Sequence, residues 1–220
     1  DVGGTSTDVG ALVKGFPREA AVAVRIAGVR TNFRMPDVLS VSLGGGSVVQ
    51  AGPLRIGPNS VGYQLTEQAL VFGGGTMTAT DIAVAGGLAQ VGDPELVQGL
   101  EAALVGEALR EIRQRIETAI DQVKVSAAPV PIVLVGGGSI LAGSSLSGAS
   151  QVLRLEHGEV ANAIGAAIAQ VGGQVERVYS LESTAREEAL ADARAEAVRK
   201  AVAAGASPGS VEIVEIDEVP

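Results

Sequence analysis

The sequence contains no cysteine and no tryptophan, and only one histidine, two tyrosines and three phenylalanines in 220 residues. Without cysteine there is no disulfide framework, no thiolate metal site and no thiol nucleophile. So few aromatics argue against a stacking platform for single-stranded nucleic acid. Lysine is confined to Lys14, Lys124 and Lys200 and the formal net charge is −9, which argues against a basic footprint for a phosphate backbone, so no nucleic-acid partner is expected. No signal peptide precedes the first motif, and no charge-free run of about 18 large apolar residues is present to span a bilayer. The chain reads as soluble, without a membrane partner, and its lack of cysteine leans towards the cytoplasm.

Glycine is what the chain has in excess: 30 residues, about twice the usual share. They follow no G-X-Y period, so collagen is excluded and the glycines are left to serve tight turns or ligand loops. A hydrophobic fraction of 46% against 19% charged residues rules out overall disorder. The length suits one domain with an appendage. The chain opens at Asp1 inside a strand-to-turn motif, without an initiator Met, and stops at Val219-Pro220 after a strand-like run. It is expected to be an excised piece of a longer polypeptide.

Along the chain, DVGGTSTDVGALV sets a Gly-Gly turn before an apolar run from Val9 to Val13, and a second strand-like run spans Ala20 to Ala27. Residues 31–92 read as a loop-rich β insertion, with strands at Leu43 to Val49, Leu54 to Ile56 and Ala69 to Phe72. Asp93-Pro94-Glu95 is a helix start signal. The stripe Val105, Leu109, Ile112, Ile116, Ala119, Ile120 and Val123 then predicts a long helix against a sheet. Ile132 to Val135 predicts a strand covered on both faces, and Val152 to Leu155 another strand. Val160 to Val171, apolar almost all round and rich in alanine, predicts a buried helix. Beyond a linker at Gly172-Gly173, Thr184 to Ala204 predicts a charged helix with a capping box from Thr184 to Glu187 and Gly205 as its stop. A strand is expected at Val211 to Ile216. The order is that of an α/β, ribonuclease H-like unit over residues 1–172 whose first strand lies upstream of Asp1. Residues 173–220 begin a truncated C-terminal helix-strand appendage.

Two loops carry the candidate chemistry. In DVGGTSTD, Gly3 and Gly4 let the backbone bring N–H groups towards phosphate oxygens, and Thr5, Ser6 and Thr7 add hydroxyls. Asp1 and Asp8 would repel a bare phosphate, which makes sense if a Mg²⁺ and its waters stand between. The alternative is an ordinary Asx-rich turn. Gly136, Gly137, Gly138 and Ser139 follow a strand, where open α/β sheets place ligands. They either leave room for a base or ribose, or make a plain strand-to-helix turn. Neither GxxxxGK followed by Ser or Thr nor GxGxxG after a strand is present. His157 reads as an exposed residue ahead of a helix, since no triad accompanies it. The charges Glu187, Glu188, Asp192, Arg194, Glu196, Arg199 and Lys200 read as a solvated helix face.

These motifs, with LGGGSVV at Leu43 to Val49, GPNSVG at Gly57 to Gly62, GGTMTATDIAVAGG at Gly74 to Gly87, LVGGGS at Leu134 to Ser139 and VANAIGAA at Val160 to Ala167, resemble the hydantoinase A / 5-oxoprolinase family. That family belongs to the actin-like ATPase superfamily. The resemblance implies an ATP-dependent hydrolase opening a cyclic amide of hydantoin or 5-oxoproline type, with ATP and Mg²⁺ held between two lobes and a second, hydantoinase B-like subunit as partner. It implies that this chain is the second lobe and that the first is absent, so the isolated piece is expected to be inactive and to bind ATP feebly. Carried over residue by residue, Gly3, Gly4, Thr5, Ser6 and Thr7 would contact phosphates. Asp1 and Asp8 would act in catalysis by orienting magnesium water, and Gly136, Gly137, Gly138 and Ser139 would border the adenosine. The sequence departs from the family pattern after the Gly-Pro-x-Ser stretch, where VGYQLTEQALVFGGG replaces a Pro-Gly-Pro-x-Cys-Tyr-Gly run. The loop Gly44, Gly45, Gly46 and Ser47 and the cluster Thr78, Thr80 and Asp81 serve either substrate and subunit contacts or a structural turn and a helix cap. The rival reading is an actin-like nucleotide switch or reactivating ATPase, acting on a protein partner through lobe closure.

Overall fold

The computed structural model describes residues 1–13, 15–20, 25–26, 29–30 and 35–218. The strands are β1 (Thr7–Gly10), β2 (Leu12–Val13), β3 (Phe16–Pro17), β4 (Arg25–Ile26), β5 (Val29–Arg30), β6 (Val38–Val41), β7 (Ser47–Ala51), β8 (Leu54–Ser60), β9 (Val130–Leu134) and β10 (Ala149–Arg154). The helices are α1 (Leu65–Gln68), α2 (Ala79–Ala85), α3 (Ala102–Val123), α4 (Ala161–Ile168) and α5 (Arg186–Ala203). β1 runs antiparallel to β6 with Asp8 opposite Ser40, and β7 forms a hairpin with β8. β9 and β10 are parallel, so the loops leaving their carboxyl ends share one edge. The contacts divide the chain into two units, Asp1–Asn162 and Ala163–Pro220.

The core of the first unit is built on α3. Val105, Ala108, Ile112, Ile116, Ala119 and Ile120 recur at three- and four-residue spacing and are buried. All but Ala119 pack with Leu43, Val49, Ile56, Ile82, Leu134 and Leu141. Each large aliphatic side chain buried there contributes on the order of 2 kcal/mol. The outer side carries Arg113–Glu117 and Arg115–Glu111 pairs one turn apart. Arg115 also donates to the Ile56 carbonyl at 2.8 Å, which ties α3 to β8. The Ser147 N–H donates to the Glu117 carboxylate at 2.7 Å and, with the Arg113 guanidinium, holds that carboxyl below its ordinary range.

Several expected elements differ. Asp93-Pro94-Glu95 starts only a 3₁₀ turn, Pro94–Val97, because Glu101 is extended and α3 restarts after it. Ala69 to Phe72 is no strand. Leu70–Phe72 is a 3₁₀ turn ended by Gly73 at φ 86°, and the Val71 N–H is taken locally by Asp81. β9 is covered on one face only, its residues alternating in exposure until Leu134. The helix expected to be buried is α4, and Val160, Ile164 and Ile168 lie exposed because the core closes on α2, α3 and the Gly137–Leu141 turn without it. In the second unit α5 has no side-chain cap: Thr184 belongs to the preceding turn, its N–H donating to Ser180. Gly205, at φ 112°, does follow the helix end. Residues 211–216 form no strand among the described residues. Most of the Ala20 to Ala27 run, like residues 31–34 of the insertion, lies outside the described residues. No helix among those described is long and apolar enough to cross a membrane.

α2 is anchored by a buried carboxylate. Asp81 accepts from the Val71 N–H at 2.8 Å, the Thr78 N–H at 2.6 Å and the Thr78 hydroxyl at 2.8 Å, while the Thr78 oxygen caps the Asp81 N–H. This is a capping box with a third donor drawn from another turn. Replacing Asp81 by Ala strands two buried N–H groups and should lower stability by about 3 kcal/mol in urea unfolding of the chain. A loss under about 1 kcal/mol would show the carboxylate is dispensable.

Candidate functional site

The first eight residues form a turn closed by pairing of Val2 with Thr7, and the Gly3 N–H donates to the Ser6 carbonyl at 2.8 Å. Val2 runs beside the end of β9, its N–H donating to the Val135 carbonyl at 2.9 Å. Two further glycine loops pack on this turn through backbone hydrogen bonds. The Gly138 N–H reaches the Val2 carbonyl at 2.8 Å, the Gly45 N–H the Gly3 carbonyl at 2.9 Å, and the Gly46 N–H the Gly4 carbonyl at 2.7 Å. Successive carbonyls of the turn are thus consumed. Among the described residues no acceptor faces the N–H groups of Gly4, Thr5 or Ser6, and Gly4 and Thr5 are exposed. Three adjacent backbone N–H groups are thus left without a partner among the described residues, the kind of donor row from which anion-binding turns are made.

The approach is too close for side chains at particular positions. A Cβ on Gly44 would lie 2.6 Å from the Gly3 oxygen and from the Thr5 nitrogen. Gly136, at φ 88°, would place a Cβ 2.3 Å from an Asp1 carboxylate oxygen and from the Val2 carbonyl oxygen. By contrast Gly137 is exposed between its two buried neighbours, and an added Cβ there meets nothing within 4 Å. Ser139 continues into the 3₁₀ turn, its carbonyl held by Arg154 at 3.1 Å.

The remaining candidates sort by what they touch. The Thr7 hydroxyl is buried and donates to the Leu43 carbonyl at 2.6 Å, so it braces the Gly44 loop from below. Thr5 carries its hydroxyl at the exposed tip, and Ser6 donates to Asp8 at 3.3 Å. Asp8 also accepts from Ser40 directly across the β1–β6 pair, so both its oxygens are occupied. Asp1 is half-buried against Gly136 and its carboxylate accepts from no donor among the described residues. Of the two carboxylates Asp1 is the one free to order the hydration shell of a hard cation, which suits Mg²⁺, an ion that keeps several waters and takes one or two carboxylates. No group of three or more His, Asp or Glu that could hold a metal ion by itself occurs among the described residues. His157 is exposed in the left-handed region, with Glu156 at 3.7 Å as its ionic neighbour.

Sequence reasoning left two roles open for the Gly44 loop and the Thr78 cluster, and the structure gives both a bracing role. The Thr80 N–H and hydroxyl each donate to the Gly45 carbonyl at 2.9 Å, linking the Asp81 cap through α2 to the turn. Ser60 and Gly62 were not anticipated. The Ser60 hydroxyl donates to the Gly4 carbonyl at 3.2 Å and accepts from the Gly62 N–H at 3.1 Å, which brings the end of β8 to the turn. The GPNSVG motif was the available signal.

Residues 1–176 match the hydantoinase/oxoprolinase family. The chain belongs to that family. No curated protein sequence matches it. Among solved structures it is similar to nucleotide-free acetone carboxylase, from a study of the mechanism of ATP-dependent acetone carboxylation, at 17% identity and a TM-score of 0.68. The match covers 94% of this chain and 35% of the acetone carboxylase chain, so the chain spans about a third of that protein. At that identity the likeness is one of fold, a mixed α/β arrangement in keeping with a ribonuclease H-like lobe.

The glycine contacts give a contrast that can be measured. Gly44→Ala should destabilise the chain by about 3 kcal/mol, because backbone must shift, whereas Gly137→Ala should cost under about 1 kcal/mol. Urea midpoints compare the two, and equal costs would contradict the packing described.

Proposed function

We propose that this hydantoinase/oxoprolinase-family chain supplies the phosphate and adenosine loops of an ATP-dependent hydrolase that opens a cyclic amide of hydantoin or 5-oxoproline type. The observation that carries the reading is the row of unpaired N–H groups at Gly4, Thr5 and Ser6, with the Asp1 carboxylate beside it. Family membership supports it, as does a fold shared with an enzyme of ATP-dependent acetone carboxylation.

Magnesium-bound ATP, when held there, would supply a transferable phosphoryl group that turns a poorly leaving amide oxygen into a good leaving group. The chain's own residues do the positioning. The Gly4, Thr5 and Ser6 N–H groups and the Thr5 hydroxyl bind phosphate oxygens, and their fixed backbone geometry requires no reorganisation as charge builds. Asp1 orients cation-bound water, while Asp8 keeps the Ser6 hydroxyl aligned within the turn. The open surface at Gly137 takes the flat side of the ribose or base. The acceptor's ring, the opposing lobe and a second subunit belong to the remainder of the assembly, and positioning of acceptor against phosphoryl group is the main source of rate.

The test is ATP hydrolysis by the whole polypeptide over a panel of hydantoins and 5-oxoproline. Stimulation at least about tenfold by one of them is expected. Stimulation by a protein partner alone would replace this reading with a nucleotide switch. For the 220-residue chain by itself, calorimetry should give only feeble ATP binding, and micromolar affinity would overturn its assignment as half of a site.

A further inference from the structure

Tyr63 is the outlier on the surface of the first unit. The residue is 94% exposed, in a sequence with only two tyrosines and no tryptophan. Tyrosine ordinarily buries its ring, and a ring held in water contributes nothing to the fold. Yet the backbone that carries it is fixed. Val61 is buried and its N–H donates to the Gly46 carbonyl at 2.9 Å, the Gly62 N–H donates to the Ser60 hydroxyl at 3.1 Å, and the Gln64 N–H closes onto the Val61 carbonyl at 3.1 Å. The segment is therefore a rigid bracket with an unburied aromatic on it.

Its position is specific. A Cβ on Gly62 would lie 3.9 Å from the Thr5 hydroxyl, and a Cβ on Gly4 3.9 Å from the Gly62 carbonyl. The Gly62 N–H is also joined through the Ser60 hydroxyl to the Gly4 carbonyl, so Tyr63 follows directly on a residue beside the turn. The Gly138 N–H meets the turn at the Val2 carbonyl instead. On the functional reading above, the terminal phosphoryl group and its acceptor lie at the tip of the turn and the adenosine towards Gly137.

We propose that Tyr63 is the face on which the planar ring of the cyclic amide stacks beside the phosphate turn. The inference rests on the cyclic-amide reading given above. A five-membered ring with conjugated N–C=O groups is flat and weakly hydrated over its faces, which suits contact with a phenol ring, while its edge remains free to point an amide oxygen at the turn. The phenol hydroxyl is not needed for stacking, so the ring alone sets the interaction.

The experiment uses the whole polypeptide and steady-state ATP hydrolysis with whichever of 5-oxoproline or a hydantoin stimulates it, for the native protein, Tyr63→Ala and Tyr63→Phe. Loss of the ring should raise KM for the cyclic amide about tenfold while KM for ATP moves less than about twofold, and Tyr63→Phe should stay within about twofold of native for both. If the native protein responds to a cyclic amide but Tyr63→Ala leaves that KM unchanged, or raises KM for ATP instead, the stacking role is refuted and the functional reading stands. If no cyclic amide stimulates the native protein, the functional reading fails and takes this ligand with it. The unfolding temperature supplies the remaining arm. An unchanged value for Tyr63→Ala is expected, and a fall of about 4 °C or more would show a ring packed against the rest of the polypeptide, which also refutes the proposal.

Discussion

The site depends on backbone packed directly against backbone. The carbonyls of Val2, Gly3 and Gly4 point into the protein and are each taken by a glycine N–H of another loop, Gly138, Gly45 and Gly46. Once those acceptors are spent, the turn shows the outside mainly its donors. Those donors stand beside the carboxylates of Asp1 and Asp8, in a chain that carries a net charge of −9, so a cation between carboxylate and phosphate is part of the reading proposed above. On that reading an overall acidic protein holds an anion without lysine or arginine at the turn.

Such an arrangement persists only if the loops cannot drift, and the packing beneath them explains why they do not. Thr7 grips the Leu43 carbonyl, Thr80 grips Gly45, and Thr80 sits on a helix whose start is pinned by the buried Asp81. The same short helix packs Ile82 into the cluster organised by α3. Stability of the core and geometry of the turn are thus coupled through a few hydrogen bonds. The two carboxylates flanking the turn are unequal for a related reason. The Asp8 carboxylate is satisfied by Ser40 and Ser6, while Asp1 pairs with Asp8 through its backbone alone and its carboxylate accepts from no donor among the described residues.

Much of this was legible in the amino-acid order. DVGGTSTD and LVGGGS announce turns that only small residues allow, and the stripe from Val105 to Ile120 announces the helix that supports them. The partnership among the loops was not legible, because a run such as Gly44-Gly45-Gly46 looks the same whether it faces a ligand or another backbone. Only the lack of room separates the two: a Cβ on Gly44 would lie 2.6 Å from backbone atoms of Gly3 and Thr5. α4 misled for a different reason. An apolar pattern reports that a surface avoids water when covered, and says nothing of whether the cover lies within these residues. The Thr184 to Glu187 box failed because a serine turn just before it captured the threonine N–H, a competition between neighbours that spacing alone does not register.

The central claim, that spent carbonyls leave a row of donors for phosphate, is tested most directly by a crystal structure of the whole polypeptide with magnesium and a non-hydrolysable ATP analogue. The account predicts phosphate oxygens within about 3.2 Å of the Gly4, Thr5 and Ser6 nitrogens, with the adenosine against Gly137. An analogue bound elsewhere, with those three nitrogens facing bulk water or another protein segment, would contradict it.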